Sequence, residues 1–428
     1  MAKPKPRPRP PKASRRHPEV VKRRKPPVEA AAPPADAATF APVLNAGFQA
    51  TASRVQEMHE AIAGKTFDNL LRVPGLSVPT RIVQGVHDAL TQGVYAAVRH
   101  GGGAALSLAG QAERFATDPA RVPGSREQAA RSALNGVFGD ELLASGSTMA
   151  IRMALYAGGV PLTPSAMAQL APRVCVFIHG LACDEQSWAI RSDAWRESPW
   201  AGTLPDGAAP QYGTLLAREL GVSAIYLRYN TGLAIDANAQ QLAALLAQVA
   251  EAAPQVREWI LIGHSMGGLV ARSAHALASA AGWPWAARAP MIVCLGSPHQ
   301  GAPLEQLGRL AAAALSAAEV TKPLARIANA RSRGIKDLRG GLKGKPMPLR
   351  PPALRLVFGT LGDEAGSGAS ALVGKLLGDG LVMPGSAADD GLGGDVERLQ
   401  LAGLGHMGLL NHPRVYAVLR RWLGARAT

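Results

Sequence analysis

Three kinds of residue pattern are missing from this chain, and each absence removes a class of protein. There are only three cysteines in 428 residues, Cys175, Cys183 and Cys294. An odd number without metal-ligand spacing argues against a disulfide framework and points to a reducing compartment. Cys183 reads as a partly buried, inert thiol rather than a reactive one. No run of about 18 uninterrupted apolar residues occurs, and the longest candidate, "MALYAGGVPLTPSAMAQL" at 153–170, is broken by glycine, proline and serine. A signal peptide is not expected either, because Pro18, Pro26, Pro27, Pro33 and Pro34 interrupt every apolar stretch after the first charges. The expectation is a cytoplasmic protein with no integral membrane segment.

Acidic residues are also outnumbered, 31 against 46 Lys and Arg, for a net charge of +15. That excess is not spread over the chain. Residues 1–27 hold 11 Lys and Arg against one Glu, a net of +10. The segment is proline-rich and almost without large apolar residues, so it is expected to be disordered with polyproline II character. It serves either as a tether to an anionic surface or polymer or as a solubilising extension. Tail and Ala/Pro linker together span 1–42.

From 43 to 170 the chain reads as helical. Ile82, Val86, Leu90, Val94 and Val98 recur every four residues on one helix face. Ser125 with Gln128 gives a capping-box signature before "AARSALNGVF". His59, His87 and His100 are scattered through this region and read as surface or packing residues.

The pattern changes near Pro172. Strands are expected at 174–178 ("VCVFI"), 224–229, 259–262, 291–296 and 354–360, with a helix carrying Leu242, Leu245, Leu246 and Val249 and a closing helix in "RVYAVLRRWL". Strands alternating with helices imply an α/β fold, a mostly parallel sheet flanked by helices, whose reactive groups gather beyond the C-terminal strand ends. This domain is expected over 171–428.

One such end is "WILIGHSMGGLVA" at 259–271. A buried strand runs into G-x-S-x-G and then a helical pattern, the strand–turn–helix context that gives the motif a mechanism. Ser265 would stand on a strained turn at a helix N-terminus, where dipole and free N–H groups favour developing negative charge. His264, Gly263 and Gly267 support the turn. The end of the first strand, "HGLACDEQSW" at 179–188, sets His179 and Gly180 before Leu181, so the N–H groups of Leu181 and Met266 together suit an oxyanion pocket.

A serine needs a base, and the base an orienting carboxylate. On this fold the chain order is Ser, acid, His. His299 precedes the late acids, which leaves His406, in a loop before a helix, as the base and His412 as the alternative. His412 precedes a proline and suits the start of the last helix. Asp379 in "GDGLV" and Asp363 in "GTLGDEAG" both follow the strand at 354–360 and stay open as the acid, whereas Asp337 comes too early.

Taken together, "FIHGLA", "GHSMGGLVAR", "GSPHQGAP", "GDGLV" and "GHMGLLNHPRVY" resemble the lipase and esterase branch of the α/β-hydrolase superfamily, including bacterial triacylglycerol lipases and the GPI inositol-deacylase-like group. The resemblance covers about residues 172–425. It implies Ser265 as nucleophile, Asp379 as acid and His406 as base, with no metal or cofactor. The chain departs from the pattern at Met383, which precedes Pro384 where relatives often set the proline directly after the valine.

An insertion between about 301 and 352 begins with the Ala-rich stretch "LEQLGRLAAAALSAAEV" and reads as a cap or lid, or as a helix packed on the sheet. The activity implied is cleavage of carboxylic esters, lipid-like or polymeric, through an acyl-enzyme. An acyltransferase or polyester depolymerase with the same three residues, and a non-catalytic anchoring protein on the same fold, are the other readings.

Overall fold

The computed structural model describes residues 124–425, apart from 191, 205–208, 304–305, 308–331, 343–351 and 362–378, together with scattered positions between 53 and 92. The tail at 1–42, the stripe residues at 82, 86, 90, 94 and 98, His59, His100, most of the Ala-rich stretch and Asp363 lie outside the described residues.

The strands within this range are β1 Ala154–Ala157, β2 Val160–Pro161, β3 Arg173–Ile178, β4 Ser223–Arg228, β5 Glu258–His264, β6 Met291–Leu295, β7 Ala353–Thr360 and β8 Val396–Ala402. They form one sheet in the order β2-β1-β4-β3-β5-β6-β7-β8. β1 runs antiparallel to β2 and β4, and every other neighbouring pair is parallel.

The central strands are apolar along their whole length because both faces are covered. Val174, Val176 and Ile178 of β3 and Trp259 and Leu261 of β5 point into one core, and Cys175, Phe177, Ile260 and Ile262 into the other. The first core is closed by α1 Ser125–Ala144, α4 Ile235–Ala252 and α5 Met266–Ala280, the second by α3 Tyr212–Leu220 and α9 Pro413–Gly424. Smaller helices are α2 Pro164–Met167, α6 Pro284–Ala287, α7 Arg333–Gly340 and α8 Pro384–Ala388. None of the described helices is long and apolar enough to cross a membrane.

Three features differ from the sequence reading. A hairpin, β1 and β2, stands where helix was expected, turning at Gly158 (φ 57) and Gly159 (φ 81). Two consecutive positive φ values are what a tight hairpin needs, and glycine supplies them without steric penalty. β8, "VERLQLA", escaped notice because it is an edge strand, mostly half-buried and carrying Glu397 and Arg398. The capping box at Ser125 does not form. The helix starts one residue earlier, with Gly124 as N-cap and no side-chain cap bond, so Ser125 already lies in the first turn.

α1 is not a satellite of the sheet. Its Ala133, Leu134, Val137 and Leu142 share a core with β3, and each large apolar side chain so buried contributes roughly 1.5–3 kcal/mol. The described part of the insertion is anchored as well. Ile335 and Leu338 are buried in that core, Ala302 N–H donates to Leu338 O at 3.0 Å, and Ile235 N–H donates to Asp337 Oδ2 at 2.9 Å.

Candidate active site

β5 ends at His264, α5 begins at Met266, and Ser265 is the single residue between them, with φ 53 and ψ −123. A serine in this region is strained, and such strain survives only where the surroundings over-determine it. Two contacts do so. Ser265 N–H donates to Leu295 O at 2.8 Å, tying the turn to the end of β6. Beneath it, Gly263 lies against the Gly267–Gly268 backbone, and a Cβ on Gly267 would stand 2.1 Å from Ile178 O and 2.6 Å from His179 O. The glycines let strand and helix meet at backbone distance.

The turn after β3 comes equally close. A Cβ on Gly180 would lie 2.9 Å from Ser265 Cβ and 3.1 Å from His264 Nδ1. Leu181 follows, its side chain buried in the core that also takes Met266, and its N–H makes no backbone hydrogen bond among the described residues. The Met266 N–H opens α5, one of the first-turn donors that lack an intrahelical partner.

His179 and His264 flank this region as neutral rings. Tyr229 Oη donates to His179 O at 2.8 Å and the two rings stack at 4.5 Å. Burial pushes the His179 imidazole down to about 4. Burial, with the neighbouring His406, holds His264 well below the usual histidine range. His264 Nε2 lies 3.0 Å from His406 O, which can only accept, so this nitrogen carries the hydrogen.

Asp379 and His406 form a buried pair. His406 Nδ1 and Asp379 Oδ2 are 2.7 Å apart, and His406 N–H donates to Asp379 O at 2.9 Å. The other carboxylate oxygen, Oδ1, accepts from Leu381 N–H at 3.0 Å and Val382 N–H at 2.7 Å. That turn is what "DGLV" encodes, an aspartate bonding the backbone two and three residues on. Met383, the departure from the lipase pattern, is the N-cap of α8 with Pro384 in the first turn, and the Asp379 turn precedes it intact. His406 Nε2 is buried with no hydrogen-bond partner among the described residues.

Gly296 links the pair to the serine. It follows Leu295, which holds Ser265 N–H, and it has φ 61. A Cβ there would meet Leu409 at 2.8 Å and both Asp379 Oδ2 and His406 Cε1 at 3.2 Å. Sequence reading passed over Gly296, although "GSPHQG" directly after a buried strand was signal enough for a residue needing close approach.

The remaining candidates are elsewhere engaged. His412 is the N-cap of α9, its Nδ1 accepting from Arg414 N–H at 3.2 Å. His299 Nδ1 is 2.7 Å from Arg272 Nη1. His87 Nδ1 is 3.1 Å from Asp88 Oδ1. Burial pushes the Cys183 thiol up to about 12, so it stays protonated.

Parts of the chain are similar to known proteins. A model of the PGAP1-like alpha/beta domain matches residues 232–320, the stretch that holds α4, the serine turn and β6. Among curated proteins none matches the chain. Of the solved structures, the mature lipase BlEst2 of Bacillus licheniformis is 21% identical, covering 63% of this chain and 97% of its own, with a TM-score of 0.40. A thermophilic esterase from Thermogutta terrifontis is 15% identical over 65% of this chain and 94% of its own, at 0.33. MenH from S. aureus is 13% identical over 64% and 98%, at 0.32. Sheet order, strand–turn–helix and the buried Asp–His pair together are those of an α/β-hydrolase fold.

Proposed function

We propose that the chain is a serine hydrolase of carboxylic esters, with Ser265 as nucleophile, His406 as general base and acid, and Asp379 as its orienting carboxylate. The observation that carries this reading is the strained Ser265 turn beside the Asp379–His406 pair, with Gly296 between them. A carboxylate accepts from Nδ1–H and so leaves Nε2 of the neutral imidazole as the lone-pair nitrogen. Nε2 is buried without a hydrogen-bond partner among the described residues.

In the first half-reaction Ser265 Oγ bonds to the ester carbonyl carbon while its proton passes to His406 Nε2. The carbonyl oxygen becomes an oxyanion, which the N–H groups of Leu181 and Met266 accommodate. Collapse breaks the C–O bond to the alcohol, which leaves with the proton from Nε2. Water repeats the sequence on the acyl-serine, and the acid departs as the Ser265 hydroxyl is restored. Asp379 holds the ring in that tautomer and stabilises the imidazolium.

The experiment is labelling of the full chain with a fluorophosphonate, followed by peptide mapping, alongside turnover of p-nitrophenyl esters of increasing chain length. Labelling on Ser265 and its loss in Ser265→Ala are expected. A folded sample that is unlabelled, or labelled stoichiometrically elsewhere, defeats the reading. Adding short alcohols to the ester assay separates hydrolysis from acyl transfer, since a transferase diverts the acyl group to the alcohol.

A further inference from the structure

The turn that carries Leu181 does not have the shape its sequence prefers. Cys183 N–H donates to Gly180 O at 3.3 Å, closing a four-residue turn. Its third residue, Ala182, has φ 60, while Leu181 is not among the residues with positive φ. That combination is a type II turn, whose third position calls for glycine. An alanine there strains against its own Cβ. Left alone, the 181–182 peptide would rotate toward the type I arrangement, in which alanine is relaxed.

What prevents this comes from outside the turn. Ala182 N–H donates to Thr231 Oγ1 at 3.1 Å, which fixes the plane of the 181–182 peptide. From the other side the backbone of Gly136 in α1 presses on Ala182; a Cβ on Gly136 would lie 2.8 Å from Ala182 Cβ and 3.0 Å from its nitrogen. One helical turn earlier, Ser132 Oγ donates to Asp184 Oδ2 at 3.2 Å, and residues four apart share a helix face. Just past a kink at Phe138, Gly139 O accepts from Asn230 Nδ2 at 2.8 Å, next to Thr231. One helix thus grips both the turn and the loop that supplies its hydroxyl.

We propose that Thr231, braced with the turn by α1 at Ser132, Gly136 and Gly139, is a positioning residue: by holding the Ala182 N–H it keeps the whole 180–183 turn in place, and with it the Leu181 N–H of the adjoining 180–181 peptide, where a substrate oxyanion forms. The proposal rests on the reading of Ser265 as nucleophile. Oxyanion donors act only from a fixed place close to the developing charge, and a displacement of about 1 Å is enough to lose catalysis on the order of 10²-fold. The contribution falls in the transition state, so its loss appears in kcat and not in KM.

The test compares Thr231→Val and Thr231→Ser with the wild-type full chain on one soluble p-nitrophenyl ester, with thermal midpoints measured in parallel. Thr231→Val keeps the shape and removes the hydroxyl; kcat is expected to fall about 10- to 100-fold with KM within about twofold. Thr231→Ser restores the acceptor and is expected within about threefold of wild type. Gly136→Ala reaches the same turn from the opposite side and is the second probe should Thr231→Val not fold; a similar kcat loss at unchanged KM is expected. Wild-type turnover in Thr231→Val, equal losses in the valine and serine variants, or a loss confined to KM would each overturn the proposal while leaving Ser265 labelling intact. A wild-type chain that is neither labelled nor active removes the nucleophile reading, and this proposal with it.

Discussion

Asp379 and His406 are joined twice, by the 2.7 Å contact of carboxylate and imidazole and by the 2.9 Å bond from the His406 amide to the Asp379 carbonyl. The side-chain contact therefore does not depend on rotamer choice alone. The second carboxylate oxygen is held by the Leu381 and Val382 amides, so the group has no freedom to rotate.

That fixity makes Asp379→Asn informative. Two N–H donors demand an acceptor at the Oδ1 position, so the amide oxygen goes there and the amide NH₂ faces His406 Nδ1. The ring must then carry its proton on Nε2 and cannot take one from Ser265. Turnover is expected to fall about 10³- to 10⁴-fold with the fold retained. Asp363→Asn is expected to lose about tenfold or less. Turnover of both variants on one soluble ester, with circular dichroism on each, decides between the acids; the reverse ranking moves the role to Asp363.

The strain at Ser265 is measurable without any substrate. Its φ of 53 and ψ of −123 cost on the order of 1–3 kcal/mol for a residue with a Cβ. Glycine escapes that cost but gives back roughly 0.5–1 kcal/mol through the unfolded chain. Ser265→Gly is therefore expected to be more stable than Ser265→Ala by about 1 kcal/mol. Urea midpoints at equal m-values read the difference, and a glycine variant less stable than the alanine one by roughly 0.5–1 kcal/mol would show that the turn stores no strain.

Buried neutral histidines give the fold an acid limit. His179 is pushed down to about 4 by burial, and His264 and His299 are also held well below the ordinary value of 6.5, mainly by burial. Because these groups bind protons more weakly when folded, the unfolded chain takes up protons first as pH falls. Stability is then full above about pH 6.5 and is lost on descending toward pH 4, by roughly 1.4 kcal/mol per pH unit for each histidine. Denaturant midpoints between pH 7.5 and 4.5 should decline steadily; a flat profile contradicts neutral burial.

Deleting residues 1–27 is expected to leave turnover of a small soluble ester unchanged and to weaken binding to anionic vesicles, the more so at low salt. The motive is a net charge of +10 on a proline-rich segment with few large apolar residues. Loss of turnover on deletion would place the tail within the folded enzyme.

The parallel strands were legible because burial on both faces writes them as unbroken apolar runs, as in "VCVFI" and "WILI". The edge elements were not. β8 alternates charge with apolar residues and borrows its order from β7, and the β1–β2 hairpin has too few residues to outweigh the helical surroundings. Ser265 and "DGLV" could be picked out because local backbone geometry dictates them. Thr231 and the α1 contacts could not, since each matters only through residues far along the chain.

The bond from His264 Nε2 to His406 O bears on how this region opens. Fluctuations that lift the 406–410 segment away from the sheet must break a contact with the last residue of β5, among the most buried strands of the molecule. Loop and central strand thus belong to one cooperative unit, and the amides of 406–410 should exchange with deuterium at rates set by near-global unfolding rather than by surface fraying. In this fold a segment late in the chain inherits the rigidity of its middle.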